Sequence, residues 1–190
     1  TGNLLGEIRE AIERLKPGQL FQLPMRNMHR SINQYRSDNS AFGHTITTLA
    51  FADSMLLAWR DSNGYPHHKR EPYGARVGER YAPGAVDGGV MHLQFASWRR
   101  LIAKHALYKA SERVRFPQRS IPEIDRLYSL APNEHGLALT AAKPSWWLPY
   151  SDILGWLHID REPWQEAEVR RLVEQYGREH FAGLNLFGVA

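Results

Sequence analysis

The sequence VMHLQFASWRRLIAKHALYKASERVRFPQR, residues 90–119, contains the longest helical candidate in the second half of the chain and is the most basic segment. Apolar residues recur in it at the three- and four-residue spacing of one helix face. The predicted apolar stripe consists of Met91, Phe95, Trp98, Leu101 and Ile102. The cations that project largely away from it are Arg99, Arg100, Lys104 and Lys109. We therefore predict a helix with one face in the core and a basic face toward a partner.

Further helices are predicted on both sides of this segment from apolar spacing, capping residues and proline positions. The predicted helices cover residues 3–16, 24–36, 41–60, 91–116, 120–128, 151–156 and 163–181. The stretch LALTAA, residues 137–142, predicts a short strand. Glycine and proline are so frequent between residues 61 and 89 that regular structure is not expected there.

The predicted fold class is therefore mainly α, a single compact helical domain over residues 1–190. Its helical core is expected at residues 1–60 and 90–130, with a long irregular Gly/Pro-rich loop at 61–89. A Trp-rich C-terminal helical subregion is expected at 137–190. The β structure expected is a minor hairpin or strand pair near residues 75–90 and 137–142.

Composition excludes several classes of protein. The chain has 190 residues and no cysteine, which removes disulfides, thiolate nucleophiles, zinc fingers and iron–sulfur ligation. No apolar run approaches the roughly 18 to 20 residues that a transmembrane helix needs, so no membrane contact is expected. Neither a metal nor another cofactor is expected, and the lack of cysteine favours a cytoplasmic location.

The uneven distribution of charge indicates a polyanionic partner. The chain holds 24 Lys/Arg against 20 Asp/Glu. Residues 90–120 hold seven Lys/Arg against one Asp/Glu, whereas residues 121–190 hold six against ten. Such asymmetry is typical of proteins that contact nucleic acid or another anionic surface, although a solvated basic face is a common alternative.

We predict that two basic segments contact nucleic acid, by phosphate neutralisation and by stacking on tyrosine. The predicted phosphate-binding residues are Lys69, Arg70, Arg76, Arg80, Arg99, Arg100, Lys104, Lys109, Arg113, Arg115 and Arg119. The predicted stacking residues are Tyr65, Tyr73 and Tyr81, with Trp98 as a further candidate.

Two other functions stay open at this point. The adjacent Trp146 and Trp147 lie in a proline-flanked, aromatic stretch that could dock a partner protein. The nine histidines allow a His-dependent hydrolase or nuclease, which predicts that at least two of His44, His67, His68 and His92 converge beside a carboxylate. No motif for zinc hydrolysis, acyl transfer or nucleotide binding accompanies them.

Taken together, the sequence predicts a non-catalytic, helical nucleic-acid-binding subunit of a larger nucleoprotein assembly. The binding would be independent of base sequence, and the choice between RNA and single-stranded DNA is open. Contacts with other protein subunits are compatible with this interpretation.

Overall fold

The computed structural model describes residues 1–58, 72–82, 84–156 and 161–190. It is 41% helical and 19% strand, with mixed sheets of four and two strands. The fold is therefore α/β, and the prediction of a mainly α domain is wrong. Lys69, Arg70 and Tyr65, together with His67 and His68, lie outside the described residues.

The larger sheet is organised around strand β1 (Gln19–Asn27). Strand β3 (Ile46–Phe51) pairs with it antiparallel along one edge. Along the other edge, strand β4 (Arg76–Arg80) pairs parallel with the first half of β1, and strand β5 (Val90–His92) pairs parallel with the second half. β1 is thus hydrogen-bonded on both sides along most of its length.

In the described residues 24–36 and 41–58, strands are found where helices were predicted over 24–36 and 41–60. Thr45, Thr47 and Thr48 are β-branched, and branched side chains favour extended backbone. In β1 every third residue is half-buried and the two between are buried, because the register shifts against both β3 and β4. An apolar pattern with that spacing resembles one helix face more than an alternating strand.

Helix α1 (Leu5–Glu13) covers one face of this sheet. Its Ala11 packs with Phe21 and Leu23 of β1, and Ile8 borders the same cluster. The predicted first helix is therefore confirmed, although it is shorter than residues 3–16.

The close approach of β5 to β1 depends on Gly89. This residue has a φ of 135°, and a Cβ there would meet the carbonyl oxygen of Pro24. A side chain at position 89 would therefore push β5 away from β1.

The smaller sheet pairs strand β2 (Gln34–Arg36) with strand β6 (Leu139–Ala141), antiparallel. The strand predicted at 137–142 is confirmed. Its partner is β2, not the 75–90 region, because β4 and β5 are both used by β1.

Helices make up most of the second half. They are α2 (Trp98–Arg115), α3 (Ile121–Tyr128), α4 (Pro144–Trp147), α5 (Ser151–Gly155) and α6 (Trp164–Tyr176). The Ser97 hydroxyl caps α2 by accepting a hydrogen bond from the Arg100 backbone N–H at 3.3 Å. Ala110 of α2 packs with Leu172 of α6 and with Phe181 beyond it. The helices predicted at 120–128, 151–156 and 163–181 are confirmed with shifts of their ends. The helix predicted at 91–116 begins only at Trp98, because Met91 lies in β5 and Phe95 in a short 3-10 turn.

Within the described residues, no helix is long and apolar enough to cross a membrane.

Candidate functional site

Several cations of α2 are engaged by groups of the protein itself. Lys109 is completely buried, and its ammonium lies 2.8 Å from the carboxylate of Asp125. The same group donates hydrogen bonds to the Ser129 hydroxyl and to the Asn185 carbonyl, each at 3.1 Å. Because all its contacts are with the protein, the ammonium is not presented to solvent.

Other basic side chains of this segment are also engaged. Arg99 forms two hydrogen bonds of 2.7 Å to the two carboxylate oxygens of Glu166 on α6. Arg113 donates to the His180 carbonyl at 3.1 Å and to the Pro117 carbonyl at 2.6 Å. Arg119 pairs with the buried Glu112. These contacts compensate much of the positive charge that the sequence placed on the helix.

The remaining basic residues of α2 lie closer to solvent. Arg100 is exposed. Lys104 donates a hydrogen bond to the Gln94 side chain at 3.3 Å, and its ammonium lies 5.5 Å from the ring centre of Tyr108. Arg115 is exposed beside Phe116, with its guanidinium 5.8 Å from that ring.

Strand β4 carries its arginines differently. Arg76 and Arg80 are both exposed, and within the described part of the chain neither side chain has an ion-pair or hydrogen-bond partner. Glu79 between them is bound by Arg14 of the α1 end at 3.6 Å. Of the predicted stacking residues, Tyr73 is exposed, whereas Tyr81 is half-buried with its ring edge-on against Phe21.

The tryptophan pair predicted as an interface lies mostly within the fold. Trp146 is buried, donates its indole N–H to Asp87 at 3.2 Å and packs against Tyr35. Trp147 is half-buried. Trp156 and Trp164, farther along the same region, are 81% and 67% exposed.

The histidines named for the hydrolase alternative do not meet at a carboxylate among the described residues. His44 is exposed, and the His92 Nδ1 lies 2.6 Å from the Asn27 side-chain oxygen. His29, which no sequence motif singled out, does contact a carboxylate: its Nε2 lies 2.8 Å from Oε1 of Glu134. No group of three or more His, Asp and Glu side chains arranged to hold a metal ion is found in the described ranges.

The His29–Glu134 contact belongs to a cluster at the carboxyl end of β1, which we call the Glu134 cluster: His29, Arg30, Trp98 and Glu134. Arg30 donates to both oxygens of Glu134, at 3.2 and 2.9 Å. Its guanidinium lies 4.3 Å from the ring centre of Trp98. Carboxyl ends of parallel strands are where open α/β sheets commonly bind ligands.

Two features of the Glu134 cluster are unusual. Arg30 has a φ of 56°, a left-handed conformation that costs about 1 to 3 kcal/mol for a residue other than glycine. His29 is completely buried, and its Nδ1 has no hydrogen-bond partner in the described part of the chain.

Burial and charge act in opposite directions on the ionisable groups of the cluster. Burial lowers the pKa of His29, although Glu134 partly offsets this effect. The hydrogen bonds from Arg30 are the largest cause that holds the pKa of Glu134 below its usual value. Glu134 is therefore an anion at neutral pH, and it accepts a hydrogen bond from the Nε2–H group of His29.

An apolar cleft lies on the sheet face beside α1. Its volume is about 400 Å³, and β1, β3 and β5 form its floor, with α1 and α5 on its sides. It is lined by Thr1, Leu5, Ile8, Leu23, Leu49, Gly89, Val90, Met91, Leu93, Tyr150, Ile153 and Leu154. Leu5, Leu49 and Ile153 are 54%, 44% and 67% exposed.

Among the described residues that line this cleft, none carries a charged side chain. In the helix predicted at residues 3–16, apolar spacing puts Leu5 and Ile8 on one inner face, and Ile8 of α1 does pack against the core. The sequence could not show that Leu5 stays open to solvent, because that depends on how far α1 and α5 stand apart.

No family model matches the chain, and neither a curated protein nor a solved structure is significantly similar to it.

Proposed function

We propose that the chain is a protein-interaction module that receives an apolar segment of a partner protein in the cleft between α1 and α5. The observation that carries this proposal is the exposure of Leu5, Leu49 and Ile153 around one concave surface of about 400 Å³ whose lining has no charged side chain among the described residues. The sequence also allowed a function in docking a partner protein, with Trp146 and Trp147 as the interface. The present proposal keeps that function but assigns the interface to the cleft beside α5.

The energetics favour an occupant of the cleft. Burying apolar surface contributes a favourable free energy of about 25 cal/mol for every Å² removed from water. Contiguous apolar patches on a protein surface commonly mark sites where another protein binds. Trp156 adds a large aromatic side chain directly after α5, and tryptophan is enriched among the residues that dominate interface energies.

The lining also selects the kind of partner. Without a charged side chain, the cleft offers no compensation to a buried charge, so the inserted segment should be aliphatic or aromatic. The Thr1 ammonium, which also lines the cleft, already donates a hydrogen bond to the Gly89 carbonyl. The proposal therefore assigns the cleft to an apolar ligand rather than to nucleic acid.

The test uses a photo-crosslinking residue at Ile153 in the full chain, in cells. Because Ile153 is exposed at the rim, we expect a discrete crosslinked protein, and Leu49→Glu in the same chain should abolish it. Purified partner should then bind with an affinity that Leu49→Glu lowers at least tenfold. The matched control is the same crosslinker at Leu130, which is 66% exposed and outside the cleft lining.

Identical crosslinks at Ile153 and Leu130, or crosslinks at Ile153 that survive Leu49→Glu, would contradict the proposal. A crosslink to a second copy of the chain would mean that the cleft mediates self-association instead of binding a different protein.

Nucleic-acid binding is the second candidate function, and Arg76 and Arg80 are the observation that favours it. Both extend from an edge strand of the sheet, without a carboxylate partner in the described part of the chain. Each phosphate contact lowers the logarithm of affinity by about 0.7 per tenfold rise in salt for a single strand. Membership of a nucleoprotein assembly and a cytoplasmic location stay predictions beside it.

Salt titration with a fluorescent single strand, in RNA and DNA forms, tests this second candidate. The double variant Arg76→Ala, Arg80→Ala should reduce the slope by about 1.4, since two contacts are lost. The pair Arg100→Ala, Lys104→Ala tests the contribution of α2 in the same way. Arg126→Ala with Arg178→Ala is the charge-matched control, since both residues are exposed. An equal reduction in the control would make the effect one of net charge, and no reduction in either test pair would remove the candidate.

A further inference from the structure

The Glu134 cluster divides into a fixed part and a replaceable part. The two donor residues, His29 and Arg30, are held in place by backbone hydrogen bonds just after β1. The His29 backbone N–H donates to the Gln34 carbonyl at 2.9 Å, and the Arg30 backbone N–H donates to the Phe95 carbonyl at 2.8 Å. The acceptor, Glu134, stands on a turn whose neighbours Asn133, His135 and Gly136 are exposed.

The turn is anchored independently of the Glu134 side chain. Ala131 at its start is buried with Phe95 and Leu101, and its carbonyl accepts a hydrogen bond from Arg36 at 3.4 Å. The Leu137 backbone N–H closes the turn on the Glu134 carbonyl at 3.1 Å. The carboxylate can therefore leave its donors while both ends of the turn stay in place.

The donors form a set suited to an oxyanion. The Arg30 guanidinium presents two parallel N–H groups, the geometry that recognises a carboxylate or phosphate. His29 adds a third donor from a fully buried ring, held edge-on to Trp98 at 5.6 Å between ring centres. The Arg30 side chain is 48% exposed, so a ligand can reach the guanidinium from solvent.

We infer that His29 and Arg30 form a binding site for a small oxyanion, a carboxylate or a phosphate, in which Glu134 occupies the place of the ligand. The partial exposure of the Arg30 side chain and the backbone hydrogen bonds that anchor the turn independently of Glu134 support this assignment. Glu134 then acts as an internal competitor of the ligand.

The experiment compares the wild-type chain with Glu134→Ala, using inorganic phosphate and acetate as separate probes. Binding is followed by the NMR shifts of the Arg30 Nε–H and the Trp98 indole N–H. We expect the affinity for at least one probe to rise tenfold or more in Glu134→Ala. Adding Arg30→Ala to that variant should abolish the gain. A gain with phosphate alone, or with acetate alone, identifies which anion the site prefers.

Glu162→Ala is the matched control, since it removes one surface carboxylate that pairs with Arg99 and Arg170. A gain of the same size in this control would show an effect of net charge and overturn the inference. Unchanged affinity in a folded Glu134→Ala would overturn it too, because the cluster would then only fasten the turn. If Glu134→Ala does not fold, Glu134→Gln, which keeps the size of the side chain, is measured against the same two criteria.

Discussion

Helix α2 and strand β4 both carry basic residues that the sequence predicts to bind a polyanion, and they differ in how many of these residues contact groups of the protein itself. Lys109, Arg99 and Arg113 on α2 bind carboxylates or carbonyls of the protein itself. Arg76 and Arg80 on β4 extend into solvent. The number of cations in a segment therefore says little about binding until the acidic residues that reach them are known.

Substitution of Lys109 should give the largest difference in the free energy of unfolding between variants of α2 and variants of β4. Lys109→Met leaves Asp125 without its cation, and because Asp125 is itself 27% exposed we expect a loss near the lower end, about 3 kcal/mol, of the cost of breaking a buried ion pair. Urea unfolding followed by circular dichroism measures the loss. Adding Asp125→Asn should restore part of it, and a loss below about 1 kcal/mol would contradict the structural role of Lys109.

His105 should make the interior of α2 sensitive to pH. Burial lowers the pKa of His105 from 6.5 to about 4, and its Nδ1 donates to the Tyr128 carbonyl at 2.9 Å. The unfolded chain binds a proton before the folded chain does, so stability is complete above pH 6.5 and falls as pH drops toward 4. The loss over this range is about 3 kcal/mol.

The measurement is the difference in free energy of unfolding between the wild type and His105→Gln, at several pH values from 7 to about 4.5. Carboxylates that titrate at lower pH contribute equally to both chains and cancel. His44→Gln is the control, since His44 is exposed and should leave the pH dependence unchanged. A His105→Gln variant with the same pH dependence as the wild type would show that His105 does not titrate in this way.

Arg113 should give a smaller effect than Lys109. Arg113→Met removes the donor for the His180 and Pro117 carbonyls, and hydrogen bonds to a charged group contribute about 1.5 kcal/mol or somewhat more. The same unfolding experiment measures it. Arg100→Met on the same helix is the comparison, since Arg100 is exposed, and an equal effect of the two variants would contradict the distinction.

Strand β4 should show the smallest effect on stability. Arg76→Met and Arg80→Met are each expected to change the free energy of unfolding by less than about 0.5 kcal/mol, because both side chains are exposed and have no partner among the residues that the structure describes. A loss of 1.5 kcal/mol or more, as expected for Arg113, would mean that these arginines also serve the fold.

Local signals predicted the helices of the second half well. Ser120 lies at the start of α3, although its side chain makes no capping hydrogen bond among the described residues, and Pro163 lies one position before the first residue of α6. The strands of the first half were missed for a physical reason. β1 is paired on both edges, and its register shifts remove the alternation of buried and exposed residues that identifies a strand.

The sites were harder to predict than the helices, because they depend on contacts between distant residues. Glu134 follows His29 by 105 positions, and nothing local marks either residue as part of a pair. The cleft likewise joins α1 to α5, and the exposure of Leu5 depends on the gap between these helices. Trp146 shows the reverse case. The proline-flanked aromatic stretch around it suggested a protein interface, but Trp146 is buried and donates a hydrogen bond to Asp87.

The two-sided pairing of β1 has a consequence for the order of folding. Arg76 follows its partner Gln19 by 57 positions, and Val90 follows Met25 by 65. Closing chain segments of this length before any contact is gained slows the search for the native pairing. During synthesis, β1 emerges long before β4 and β5 and can first pair only with β3. A nascent chain that ends before β4 should therefore expose the second edge of β1 to other chains, and it is the intermediate most prone to aggregate.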